Sequence, residues 1–67
     1  MKETTISQLK KGDFFTLMPI EEPKDSHVYV RGDYVRSTKK YEAYKFENIN
    51  RFREFKGDTK VYIDFIF

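Results

Sequence analysis

The stretch HVYVRGDYVRSTKKYEAYKF, residues 27–46, decides the fold of this chain. Its first half alternates apolar and polar residues with a period of two, the pattern of a half-buried strand. The polar turn STKK follows, and YEAYKF returns as the next strand. The stretch therefore predicts a hairpin, with Val28 and Val30 facing the core and Tyr29 and Arg31 facing solvent.

A glycine between a basic residue and an aspartate occurs three times, at Gly12, Gly32 and Gly57. Gly32 lies inside the first strand of the hairpin, where a bulge would bend the sheet, and the other two lie where new strands begin. The tripeptide Arg31-Gly32-Asp33 also has the sequence of an adhesion signal. Because the triplet recurs, a local backbone requirement explains it better than a single ligand motif does.

The rest of the chain extends this β pattern in both directions. Residues 4–13 are typical of one helical or 3₁₀ turn ended by a left-handed glycine, and residues 13–20 of a strand. Residues 21–26 form a polar loop, and residues 47–54 fit either a short strand or a helical turn. The clearest alternation, in TKVYIDFIF, predicts a last strand that continues to Phe67.

Five short strands in 67 residues predict a mainly β fold with one domain, residues 1–67. The expected architecture is a small, strongly bent antiparallel barrel, SH3-like in outline, with one short N-terminal helical turn. An OB-like barrel fits less well because the chain is short and lacks a clear helix. The predicted core residues are Val28, Val30, Val61, Ile63 and Phe65.

Composition excludes several classes of protein. The chain has no cysteine, so disulfides and thiolate metal sites are absent, and burial of apolar groups must supply the stability. Phenylalanine and tyrosine make up 18% of the residues, which argues against disorder and suits a very small core. No apolar run reaches membrane-spanning length and no signal peptide is evident, so we expect a cytoplasmic protein without membrane contact.

The sequence contains few residues that could form a catalytic site. His27 is the only histidine, and no serine has a histidine and an aspartate close to it in sequence. The acidic residues around Pro23 lack the spacing of a calcium-binding loop, and the glycines are too scattered to cradle a phosphate. We therefore expect a non-enzyme with no catalytic residue, no cofactor and no bound metal.

A mixture of basic and aromatic residues marks the middle of the chain. Residues 31–60 contain nine Lys or Arg against five Asp or Glu, while the whole chain has a net charge of +2. Aromatic rings stack on bases and basic groups pair with phosphates, so this mixture favours weak binding of single-stranded nucleic acid without sequence preference. Interspersed acidic residues favour a solvated face instead. The candidate face comprises Tyr29, Arg31, Arg36, Lys39, Lys40, Tyr44, Arg51 and Arg53.

The C-terminus suggests another kind of contact. The chain ends on apolar residues with no charge after them, so the last strand is expected to expose an edge at Tyr62, Ile66 and Phe67. A free apolar edge invites a strand from a protein partner or from a second copy of the chain. A protein-interaction module is therefore our first interpretation, and nucleic-acid binding is the alternative.

The run VYVRGDYVRSTKKYEAYKFENINRF followed by KGDTKVYIDF resembles a group of small proteins from gut bacteria. In that group a similar tyrosine-rich hairpin precedes a final valine-phenylalanine strand, and the resemblance covers residues 9–65. The group has no assigned activity. The resemblance therefore implies a compact barrel and assigns no catalytic or binding residue.

Overall fold

Six antiparallel strands form a single sheet in the computed structural model, which describes all residues, 1–67. The strands are β1 (Lys2–Thr5), β2 (Phe14–Thr16), β3 (Val28–Val35), β4 (Lys40–Lys45), β5 (Asn48–Lys56) and β6 (Lys60–Ile63). Their order across the sheet is β1-β6-β2-β3-β4-β5. The only helical elements are two 3₁₀ turns, Ile6–Gln8 and Asp25–His27.

The mainly β prediction is confirmed, but the number of strands is six and not five, and the sheet is not closed into a barrel. The additional strand is β1, which pairs with β6 from Lys2 opposite Ile63 to Thr5 opposite Lys60. Its sequence, KETT, has no apolar residue, so no hydrophobic alternation marks it as a strand. The undecided segment is also a strand, the nine-residue β5.

Three aromatic rings form the centre of the core. The rings of Phe15 and Tyr29 stack with their centroids 5.6 Å apart, and the Phe55 ring meets both of them edge-on. Ile6 and Leu9, in the segment between β1 and β2, complete one side of this core, and Val61 of β6 packs into it. We call the side of the sheet that carries these residues the core side, and the opposite side the reverse side.

The prediction that Tyr29 faces solvent is wrong, because this side chain is only 7% exposed and lies in the core. Val28 is fully buried too, but strand alternation places it on the reverse side. Of the five predicted core residues, Val28 and Val61 are buried, while Val30, Ile63 and Phe65 are only half-buried. Apolar residues on both sides of β3 left the orientation of the strand undetermined.

The turn before β2 depends on Gly12. Its φ of 95° is in the left-handed region, as predicted, and few residues other than glycine adopt it. The Asp13 carboxylate accepts a hydrogen bond from the Lys10 N–H at 2.8 Å, and the Asp13 N–H donates to the Lys10 carbonyl at 3.0 Å. Gly12 thus closes a turn after the 3₁₀ segment, which itself ends earlier, at Gln8.

The expected bulge at Gly32 is present, since the pairing of β3 with β4 shifts register between Arg31 and Tyr34. The reason for glycine here is close approach, because a Cβ atom at position 32 would lie 2.7 Å from Cε2 of Tyr44. The Arg31-Gly32-Asp33 tripeptide therefore lies inside a strand, with a buried glycine at its centre, and not at the tip of a loop.

The last strand is shorter than predicted. β6 ends at Ile63, and the next residue, Asp64, has a φ of 59° that turns the chain away from the sheet. The terminal segment then returns along the 21–26 loop, where the Ile66 N–H donates a hydrogen bond to the Glu21 carbonyl at 2.9 Å.

Candidate interaction edge

The predicted strand edge at the C-terminus does not exist, because β6 lies inside the sheet between β1 and β2. Tyr62 is opposite Glu3 on one neighbouring strand and opposite Thr16 on the other. The other two residues of that prediction lie beyond the strand. The side chains of Ile66 and Phe67 are 67% and 50% exposed, respectively. Neither residue belongs to a strand, so neither offers a strand edge to a partner.

Phe67 belongs to a small aromatic cluster on the surface. Its ring centroid lies 4.8 Å from that of Phe46 and 5.9 Å from that of Phe14, and the rings meet edge-on. Phe14 and Phe46 are themselves 5.4 Å apart. The cluster anchors the terminal segment to β2 and to the turn after β4, which accounts for part of the apolar character of this segment.

The two real edges of the sheet are β1 and β5. β1 has four residues, whereas β5 has nine, of which all but Phe55 are exposed. Ile49 and Phe52 are 73% and 55% exposed on this strand. A long edge strand with free backbone groups and exposed apolar side chains is the usual template for adding another strand.

The two sides of β5 differ in charge. Arg53 lies opposite the buried Ala43 and is therefore on the core side, with its guanidinium 5.1 Å above the Phe55 ring. On the reverse side, Glu54 lies opposite Glu42. The reverse side also carries Lys56, opposite Lys40. An incoming strand would therefore meet positive charge on the core side at Arg53 and charges of both signs on the reverse side.

The candidate nucleic-acid face is not formed as one surface. Tyr29 is buried in the core, Arg31 is opposite Ala43 on the core side, and Tyr44 is opposite Val30 on the reverse side. The other candidates are dispersed. Arg36 and Lys39 lie in the turn after β3, Lys40 begins β4, and Arg51 and Arg53 lie on β5.

Arg31 instead forms a cluster that the sequence did not indicate. Its guanidinium carbon lies 4.5 Å from the centre of the Tyr41 ring, and the Tyr34 ring lies 4.8 Å from the same ring. One guanidinium nitrogen donates a hydrogen bond to the Gly32 carbonyl at 2.8 Å, while the buried Nε has no partner. The pairing of Tyr34 with Tyr41 across the hairpin is visible only once the bulge is known.

His27 lines a cleft of about 230 Å³ beside Leu17, Ile20 and Tyr29. Its Nδ1 accepts a hydrogen bond from the Lys24 N–H at 3.3 Å, so this nitrogen has a structural role in the 3₁₀ turn. The cleft is smaller than the usual range for small-molecule sites, about 300–1,000 Å³. No group of three or more His, Cys, Asp or Glu residues is arranged to hold a metal ion.

One surface ion pair joins the Gly12 turn to the bulge. The Lys11 ammonium lies 2.8 Å from the Asp33 carboxylate, and both side chains are mostly exposed. This hydrogen bond and the attraction between the charges lower the pKa of Asp33 below its ordinary value and raise the pKa of Lys11.

We expect the stabilising effect of the ionised Asp33 to be lost at acid pH. A carboxyl group with a lowered pKa in the folded state stabilises the fold above its unfolded pKa, and this contribution disappears as the pH falls through the folded value. An NMR titration of the Asp33 side chain should show the lowered pKa, and Lys11→Met should raise it toward the ordinary value. Lys10→Met is the matched control, and an unchanged Asp33 pKa in Lys11→Met would contradict the assignment.

No protein-family model, no curated protein and no solved structure matches this chain. The structure contains no helix with the length and apolar character that a membrane crossing requires.

Proposed function

We propose that the protein is a non-enzymatic interaction module that binds an extended segment of another protein as an additional strand along β5. The observation that carries this proposal is the free nine-residue edge, which exposes eight of its residues, among them Ile49 and Phe52. In this mode of binding, backbone hydrogen bonds provide affinity and side chains at alternate positions provide specificity.

Two features support β5 over the other free edge. β1 is short, and short edge strands are one way in which proteins avoid unwanted pairing. β5 also continues a meander from β2 through β3 and β4, so an added strand would extend a well-anchored sheet. The bulges at Gly32 and after Tyr44 bend this meander, and we retain the SH3-like outline as a proposal on that basis.

The test uses a soluble, net-neutral heptapeptide that alternates valine with threonine, lysine and glutamate. We expect its addition to ¹⁵N-labelled protein to shift amide resonances along β5. Two further peptides carry N-methyl groups on the backbone nitrogens of either the odd or the even positions. They distinguish binding by strand pairing from binding by side-chain contacts alone. Only one set of peptide N–H groups faces the edge, so one methylated peptide should lose binding and the other should keep it.

Two exposed isoleucines provide matched variants, since Ile49 is 73% and Ile66 is 67% exposed. Ile49→Lys, on β5, is expected to weaken binding of the heptapeptide severalfold, whereas Ile66→Lys in the terminal segment leaves it unchanged. Weakening by Ile66→Lys alone would move the site to the C-terminal surface. Equal loss with both N-methylated peptides would show that no strand is added.

Weak binding of single-stranded nucleic acid is the alternative function, and one observation favours it. Tyr34 is 44% exposed and lies beside Tyr41 and Arg31, which combines stacking rings with a cation. Fluorescence anisotropy with a short labelled oligonucleotide at low salt, on the parent protein and on Tyr34→Ala, tests this function directly.

A further inference from the structure

We propose that the segment bound at β5 carries an acidic side chain opposite Arg53 and a basic side chain opposite Glu54. This inference rests on the proposed function, since it concerns the chemistry of a partner at the same edge.

Arg53 has no acidic partner within the chain. The only ion pairs are Lys11 with Asp33 and Lys60 with Glu3, and neither involves a residue of β5. Arg53 lies opposite Ala43 on the core side, within the part of β5 that pairs regularly with β4, from Phe52 to Lys56. The edge therefore presents an unpaired positive charge on the core side at Arg53.

The carboxylates of β4 and β5 do not neutralise the charge of Arg53, because they lie on the other side of the sheet. Glu54 is opposite Glu42 on the reverse side, and like charges directly opposite each other are unfavourable. A basic residue of the partner opposite Glu54 would relieve that repulsion. Phe52, the residue before Arg53, is also on the reverse side and favours an apolar residue opposite it.

The partner segment is therefore apolar, acidic and basic where it lies opposite Phe52, Arg53 and Glu54. Such a segment forms attractive pairs on both sides of the sheet. Electrostatic complementarity of this kind determines which partner binds more than it determines how tightly any partner binds.

The experiment compares two heptapeptides of identical composition with the protein as a full chain. The first has glutamate opposite Arg53 and lysine opposite Glu54, and the second exchanges the glutamate and the lysine. We expect the first to bind on the order of tenfold more tightly, because each exchanged pair turns attraction into repulsion. The preference should shrink as the salt concentration rises.

Arg53→Gln should weaken the acidic peptide about two- to fivefold, the effect of one cross-strand pair, and Arg36→Gln, in the turn after β3, should not. Equal binding of the two peptides would overturn the acidic preference and leave strand addition at β5 intact. Absence of binding by every peptide, neutral or charged, would overturn both proposals. A labelled oligo-dT that binds more tightly than the acidic peptide and loses affinity in Arg53→Gln would overturn the peptide assignment in favour of nucleic acid.

Discussion

Replacement of Phe15 by alanine is expected to leave the protein largely unfolded. Phe15 is fully buried and packs against both Tyr29 and Phe55, so its removal leaves a cavity at the centre of the core. Loss of a buried phenylalanine costs about 3–5 kcal/mol. The free energy of unfolding of a domain this small is about 3–10 kcal/mol in total. Urea denaturation followed by circular dichroism measures the change.

Phe65→Ala is the matched control, because it removes the same side chain from a half-buried position after the end of β6. The sequence predicted Phe65 as a core residue, whereas the structure places it outside the core cluster. We therefore expect a smaller loss of stability, about 1–2 kcal/mol. If both variants lost the same free energy, the core would extend to the terminal segment.

Gly32→Ala is expected to destabilise the protein through a clash with Tyr44. The added methyl group would lie 2.7 Å from Cε2 of the tyrosine ring and 3.3 Å from the Glu42 carbonyl oxygen. Overpacking of this kind costs about 1–3 kcal/mol. A double-mutant cycle with Tyr44→Ala tests the cause, since Gly32→Ala should cost less once the ring is absent. Thermal and urea denaturation of the four proteins provide the values.

Gly12 is the control for this cycle, because position 12 requires glycine for its backbone conformation and not for close packing. Nothing lies within 4 Å of a Cβ atom built at Gly12, but its φ of 95° is unfavourable for other residues. Gly12→Ala should cost about 1 kcal/mol whether or not Tyr44 is present. An equal cost of Gly32→Ala with and without Tyr44 would show that backbone conformation, and not the ring, requires glycine at position 32.

Alternation identified most of the strands, because the hairpin of β3 and β4 and the strand β6 carry apolar residues with a period of two. It did not determine which side of β3 faces the core, since Val28 and Tyr29 are both buried, on opposite sides of the sheet. That choice depends on Phe15 and Phe55, which reach Tyr29 from other strands. The alternation of residues within one strand does not show which residues of distant strands it will contact.

The sequence also did not show which strand lies at the free edge of the sheet. TKVYIDFIF has the strongest alternation, yet β6 is paired on both sides because β1 joins it from the other end of the chain. β5 carries alternating charges and aromatic rings, which suited a strand and a helical turn equally. The order of strands decides which one is at the edge, and local propensity does not report that order.

The position of β1 has a consequence for synthesis of the protein on the ribosome. β1 is made before the other five strands, but its only neighbour is β6, which is made after the other four. At about 5–20 residues per second, translation leaves β1 without a partner for about 3–12 s. An apolar segment exposed for that time would be prone to aggregate, whereas KETT consists only of charged and hydroxyl side chains. Because β1 is polar, hydrophobic alternation does not identify it as a strand. The same polar composition keeps it soluble until β6 is made.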